Sequence, residues 1–446
     1  MGSYLRLGLL VILISGCASH GVVDNTSSAG VDNTDAYSIE SFFRNWRKSE
    51  NALMVAFSGG GTRASALSYG VLKELRDTPI SLSGDKTRLL DDIHVISSVS
   101  GGSFTSAYYG LHGDRIFDDF ESAFLRKNVQ GDLLRGLLNP LRWLSGRGRT
   151  EMAVEEYEEN VFADATYADM RRDDAPLILI NSTDLSTGVR FSFVQEYFNL
   201  LCSDLSTFPV ARAVTASSAV PIVFEPVVVK NYPDCGTTRP SWEKNLSSAA
   251  LRDPDIALID EGLRQYFDRQ KIQYSHFVDG GITDNLGLRA IHEIVEVNGG
   301  INKMLIKGGR ELVPKRIAII SVDASVDKSR DLALTDEYPK ISDTISAVSS
   351  VQLHRYNVAT TELMQRSLDK WSQALSTPEA PVKAYFIRLN FSSITDPQHR
   401  AFFNTVPTSF DLTDEQVDRL IEAGGRLLRE NPEYRRLLAD LKKDES

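Results

Sequence analysis

Histidine, cysteine and methionine are scarce: 7, 3 and 6 in a chain of 446 residues. No cluster of His, Cys, Asp and Glu stands at metal-ligand spacing, so neither a metal nor a cofactor is expected. No long block of Lys or Arg occurs, and the net charge is -11. A nucleic-acid partner is therefore not expected, because polyphosphate binding needs a basic surface. No repeat recurs along the chain. The apolar run Leu5 to Ile14 is too short to span a bilayer as a mature helix. What the chain does have is 42% hydrophobic residues, enough to bury a sizeable core. Disorder of the whole chain is excluded, and the length admits one large α/β domain or two ordinary ones.

Ile93 to Phe104, IHVISSVSGGSF, is an apolar run that stops at a serine followed by two glycines. Ile93, Val95, Ile96 and Val99 have the pattern of a parallel strand covered on both faces, and Ser103 to Leu111 continues as a helix. Ser100 then lies at a strand-to-helix turn, where hydrolases of the G-x-S-x-G type hold a nucleophile. Here the first position is Ser98. A Gly-Ser turn closing an ordinary βα unit accounts for the same residues. Upstream, the strand Leu53 to Phe57 runs into Ser58-Gly59-Gly60-Gly61-Thr62-Arg63-Ala64 and then a helix with Leu67, Val71, Leu72 and Leu75 on one face. Successive glycine N–H groups at a helix N-terminus suit a negative charge. A phosphate-binding P-loop would need Lys-Ser or Lys-Thr at fixed spacing, which is missing. The dinucleotide pattern is met by Gly59, Gly61 and Ala64, but the second strand should then end on an acid, and it ends on Ser100. An oxyanion hole fits better. Phe277-Val278-Asp279-Gly280-Gly281 ends a later strand on a carboxylate. If those strands are parallel they finish on one edge, which would bring Asp279 to Ser100; an Asp-Gly turn is the plainer reading.

These blocks together resemble the patatin-like phospholipases. The family's G-G-G-x-R-G matches Gly59 to Ala64, its G-x-S-x-G matches Ser98 to Gly102, and its D-G-[GA] matches Asp279 to Gly281. Asn181 to Gly188 is similar to its ATDLxTG turn, and Ala216 to Pro221 to its ASSAxP segment. The resemblance spans Leu53 to about Leu288 and departs at Ser98 and Ala64. It implies an α/β fold, a three-layer α/β/α arrangement around a mostly parallel sheet. It also implies a lipid acyl hydrolase with a Ser100–Asp279 dyad, an oxyanion hole from Gly59, Gly60, Gly61 and Gly101, and Arg63 either ordering that loop or meeting a phosphate headgroup. Two alternatives stay open: a Ser-Asp-His esterase using His292, His354 or His399, and a catalytically inactive envelope protein that binds lipid or protein.

At the N-terminus, Leu5 to Ile14 followed by Ser15-Gly16-Cys17 resembles a bacterial lipoprotein signal. That resemblance implies removal of residues 1–16, lipidation of Cys17, and a membrane-anchored protein at the outer membrane facing the periplasm. Residues 17–36 have the composition of a solvated tether, and 37–446 are expected to form one domain with a C-terminal helical extension. Leu133 to Leu144 reads as core packing or as a membrane-facing flap. Cys202 and Cys235 are the candidates for a disulfide in an oxidising compartment.

Overall fold

The structure is a computed structural model and describes residues 20–29, 36–44, 49–82, 85–128, 148–221, 223–233, 243–307, 313–326 and 333–443. Cys17, Cys235 and the stretch Leu133 to Leu144 lie outside the described residues.

Strand β1 (Thr26–Ser27) precedes the first core strand, β2 (Asn51–Phe57). Helix α1 (Gly61–Arg76), the small hairpin β3 (Pro79–Leu82) and β4 (Asp85–Arg88), strand β5 (Ile93–Val99) and helix α2 (Gly101–His112) follow. Then come β6 (Leu177–Asp184), β7 (Arg190–Ser192), β8 (Ser203–Asp204), α3 (Val210–Ser218), β9 (Val227–Lys230) and β10 (Tyr274–Asp279). The short α4 (Gly281–Asp284), α5 (Leu288–Val297), β11 (Arg316–Asp323), α6 (Ile341–Leu375), β12 (Lys383–Asn390), α7 (Asp414–Glu430) and α8 (Pro432–Lys443) complete the elements that matter for the site. Every residue of β2, β5 and β6 is buried. Such continuous apolar runs arise where helices cover both faces of a sheet.

The central sheet has the order β12-β11-β2-β5-β6-β10-β9, with β7 also paired to β6. Strands β12, β11, β2, β5 and β6 are mutually parallel. The expected mostly parallel α/β sheet is thus present. β10, however, is antiparallel to β6 and β9, so Asp279 does not reach Ser100 by ending a parallel strand. Register supplies the reason. Asn181 pairs with Val99 of β5 and Ser192 of β7, while Ser182 pairs with Phe191 of β7 and Asp279 of β10. A strand residue has one neighbour on each side, so β5 and β10 occupy the same side of β6, end to end. Their C-terminal ends meet there.

Helix α7 crosses α1 closely enough that a Cβ on Gly70 would lie 2.1 Å from the Ile421 carbonyl oxygen, and one on Gly424 would lie 2.3 Å from that of Leu67. Thr413 and Gln416 cap α7 reciprocally, as their spacing predicts.

The tether expectation fails for residues 20–29. β1 pairs antiparallel with β8, and Asn25 is buried, donating to Ser203 Oγ at 2.6 Å and the Lys230 carbonyl at 2.8 Å. Asp24 pairs with Arg212 at 2.6 Å. A polar segment packs here because the domain satisfies its backbone and side-chain groups, which composition does not reveal. Cys202 is disulfide-bonded. Among the described residues no helix is long and apolar enough to cross a membrane.

Candidate active site

Ser100 sits between β5 and α2 with φ 51° and ψ −124°. A non-glycine residue in this region costs on the order of 1–3 kcal/mol and persists only when its surroundings impose it. Here they do. The Ser100 amide donates to Ser217 Oγ at 2.8 Å, and Ser217 Oγ donates to the Asn181 carbonyl at 2.6 Å. Asn181 is held in turn, donating to Ser97 Oγ and the Ser98 carbonyl, each at 3.0 Å, and accepting from Arg190 at 2.9 Å. Arg190 forms a buried ion pair with Glu293. The Ser100 backbone therefore ends a polar chain running through the core, in which each buried group is partnered.

Asp279 lies at the facing end of β10. Its side chain lies beside Ser100, and its Oδ1 accepts the Gly281 amide at 2.7 Å. Burial pushes its carboxyl up to about 6, against the lowering effect of the Ser100 hydroxyl and the Gly281 amide. The turn is anchored to the end of α3: the Asp279 amide donates to the Ala219 carbonyl at 2.9 Å and the Gly280 amide to the Ser217 carbonyl at 3.0 Å. Ser217 thus touches both halves of the site.

The glycine loop packs directly against Ser100. A Cβ on Gly101 would lie 2.0 Å from the Gly61 carbonyl oxygen, so the two backbones meet only because no side chain stands there. Gly60 has φ 142° and Gly61 φ 59°, conformations suited to glycine. Among the described residues the amides of Gly60, Gly61 and Gly101 have no hydrogen-bond acceptor. Gly59 differs from the expected donor set: its amide donates to the Asn285 carbonyl at 3.0 Å, so it is already used.

Arg63 is a structural residue and not a headgroup ligand. It is buried, donating from Nε to the Ala324 carbonyl at 2.9 Å, from Nη1 to the Val406 carbonyl at 2.6 Å and from Nη2 to Thr408 Oγ1 at 2.9 Å. With its donors turned to two backbone carbonyls and a threonine hydroxyl, it ties the loop to the end of β11 and to the segment before α7. Ser98 is buried away from the site, donating to the Leu179 carbonyl and accepting from Ser106 Oγ at 2.6 Å. The departure from glycine there therefore places the Ser98 hydroxyl on core partners and not on Ser100.

No candidate histidine joins the pair. His292 is buried with Nδ1 2.9 Å from Ser367 Oγ, on the far side of α5. His399 is exposed and 3.6 Å from Asp396. His354 lies on α6 near Asp323. Two contributors escaped the sequence reading. Ser217 stood in the ASSAxP-like segment, a run of small residues that signals close packing and not a tie to Ser100. Asn285, whose Oδ1 would sit 2.8 Å from a Cβ on Gly59 and 3.1 Å from one on Gly281, carries no local signal at all.

The patatin-like phospholipase family model matches residues 55–292. The chain belongs to that family. The matched region holds Ser100, Asp279 and the glycine loop of this patatin-like chain, and ends within α5. No curated protein matches it by sequence. Among solved structures it is similar to human GIVD cytosolic phospholipase A2, at 13% identity and a TM-score of 0.45, over 88% of this chain and 60% of that one. The same enzyme in complex with methyl gamma-linolenyl fluorophosphonate matches at 14% identity and 0.42, over 91% and 64%. VipD from Legionella pneumophila matches at 11% and 0.31, over 85% and 67%. The patatin-like chain thus spans about 60% of the length of the human phospholipase.

Proposed function

We propose that the protein is a serine acyl hydrolase that cleaves carboxylic ester bonds of membrane lipids. One observation carries this reading: a strained serine beside a buried carboxylate, next to glycine amides that have no acceptor among the described residues. Asp279 accepts the Ser100 proton as Oγ attacks the ester carbonyl carbon. The oxyanion that forms is held by the amides of Gly60, Gly61 and Gly101, each such donor contributing about a hundred- to a thousandfold in rate. Collapse expels the alcohol, which takes the proton from Asp279 and leaves an acyl-serine. Water, giving a proton to Asp279, then releases the fatty acid and restores Ser100. A carboxyl titrating near 6 is suited to this base role at neutral pH. The N-terminal resemblance adds a location: Cys17 lipidated, the domain held at the periplasmic face of the outer membrane.

The test is turnover of a short-chain p-nitrophenyl ester by the chain from Ala18 onward, which keeps residues 20–29 packed. A fluorophosphonate probe should label a peptide containing Ser100. Absence of both turnover and labelling would instead favour an inactive lipid- or protein-binding member of the family.

A further inference from the structure

Helix α6 is too long for the sheet it covers. Near its C-terminal end Ser372 Oγ donates to the Val382 carbonyl, just before β12 begins. Nearer its middle, Asn357 Nδ2 donates to Ser325 Oγ, two residues beyond the end of β11. The helix therefore runs antiparallel to β11 and draws level with the strand's C-terminal end at Asn357. The 16 residues from Ile341 to Tyr356 extend about 24 Å past that edge at ~1.5 Å per residue. It is the edge at which the glycine loop and Ser100 lie.

The two halves of α6 differ in what they face. Met364, Leu368, Trp371 and Leu375 are buried in the core. On the projecting half Ile341 is 81% exposed, Ile345 46%, Val348 56% and Val351 41%, preceded by Tyr338 at 99%. Positions 341, 345 and 348 follow the spacing of one helical face. In a chain with 24% charged residues, Asp343 is the one charged residue from Ile341 to Gln352, and Lys340 and Arg355 stand at the two ends. Ile282, 51% exposed, lies on α4 three residues after Asp279, and α4 packs against α6. A second exposed aliphatic side chain thus stands beside the candidate site, on a helix that α6 contacts.

We infer that the projecting half of α6 is a membrane-docking wedge that seats the catalytic edge on a lipid surface. This rests on the acyl-hydrolase reading, because ligands of open α/β sheets bind beyond the carboxyl ends of the strands, the edge at which Ser100 lies. A second copy of the chain on this face would cover the entrance, whereas a bilayer supplies what enters. A helix with an apolar stripe and few charges among its polar residues is suited to lying in the interface with its apolar side chains among the acyl chains.

The experiment compares the chain from Ala18 onward with its I341S/I345S/V348S variant, both also carrying Ser100→Ala for binding. Vesicles of phosphatidylethanolamine and phosphatidylglycerol are the probe. Vesicle partition should fall at least about tenfold on losing three buried aliphatic side chains. In proteins with Ser100 intact, hydrolysis of vesicle lipid should fall in parallel while turnover of a soluble short-chain ester stays unchanged. Equal vesicle partition of variant and parent would overturn the wedge. So would failure of the parent to bind vesicles, coupled with a dimer that the triple substitution converts to monomer. Should the parent bind vesicles and the variant not, with no ester turned over by either, the docking surface stands and the hydrolase reading fails.

Discussion

Ser217 Oγ accepts the backbone amide of Ser100 at 2.8 Å, and this bond holds Ser100 in a conformation that its own side chain disfavours. Ser217→Ala removes the acceptor and leaves a buried N–H unpaired, which costs about 1–3 kcal/mol. The expected result is a kcat reduced about tenfold or more with KM little changed, and a lowered Tm. Unchanged kcat at an unchanged Tm would show that Ser100 keeps its geometry unaided.

Ser100→Ala and Asp279→Asn should each abolish ester turnover, and the double variant should be no worse than either single one, since the two groups act as a unit. His292→Ala, His354→Ala and His399→Ala should retain activity, apart from any loss of folded protein at buried His292. A histidine variant that folds but is inactive would replace the dyad by a triad.

Activity should fall as pH drops through about 6, because protonated Asp279 no longer accepts the Ser100 proton. The stability effect has the opposite sense. A folded-state pKa raised from 3.8 means that the stability linked to this proton is present below pH 3.8 and lost as pH rises through about 6. Asp279→Asn should accordingly gain on the order of 1–3 kcal/mol over the parent at pH 8, a difference that shrinks toward pH 4. Denaturant melts at the two pH values would show it, and a gain larger at pH 4 than at pH 8 would contradict the assignment.

Gly101→Ala should displace the Gly61 backbone and with it the donors facing Ser100. A loss of about a hundredfold or more in kcat is expected, with fluorophosphonate labelling slowed as well. Labelling at the parent's rate would mean that these amides do not hold the oxyanion.

Cys17→Ser should abolish membrane partition of the chain made with its leader, if lipidation is the anchor; intact Met1 in envelope-derived protein would argue against processing. Cys202, disulfide-bonded in the structure, should be unreactive in unfolded, unreduced protein, and Cys235→Ser should expose it to thiol reagents if those two are partners.

Local pattern by itself determined much of this protein. Apolar runs interrupted by glycine placed β2, β5, their turns and the helices that follow, because a buried parallel strand and a helix N-terminus each need particular residues nearby. The same logic located Asp279 at a strand end and capped α7 through Thr413 and Gln416. The tertiary structure decided how these pieces meet. Pattern carries no strand direction, so β10 was free to run antiparallel and still bring Asp279 to Ser100 by abutting β5 along β6. Nor does a motif say which of its donors is already engaged: Gly59 gives its amide to Asn285 and Arg63 its guanidinium to backbone carbonyls, partners 226 and up to 343 positions away. Residues 20–29 pack for the same reason, their partners lying far along the chain. Hydrogen bonds between distant segments depend on a fold already formed, and only the folded chain shows them.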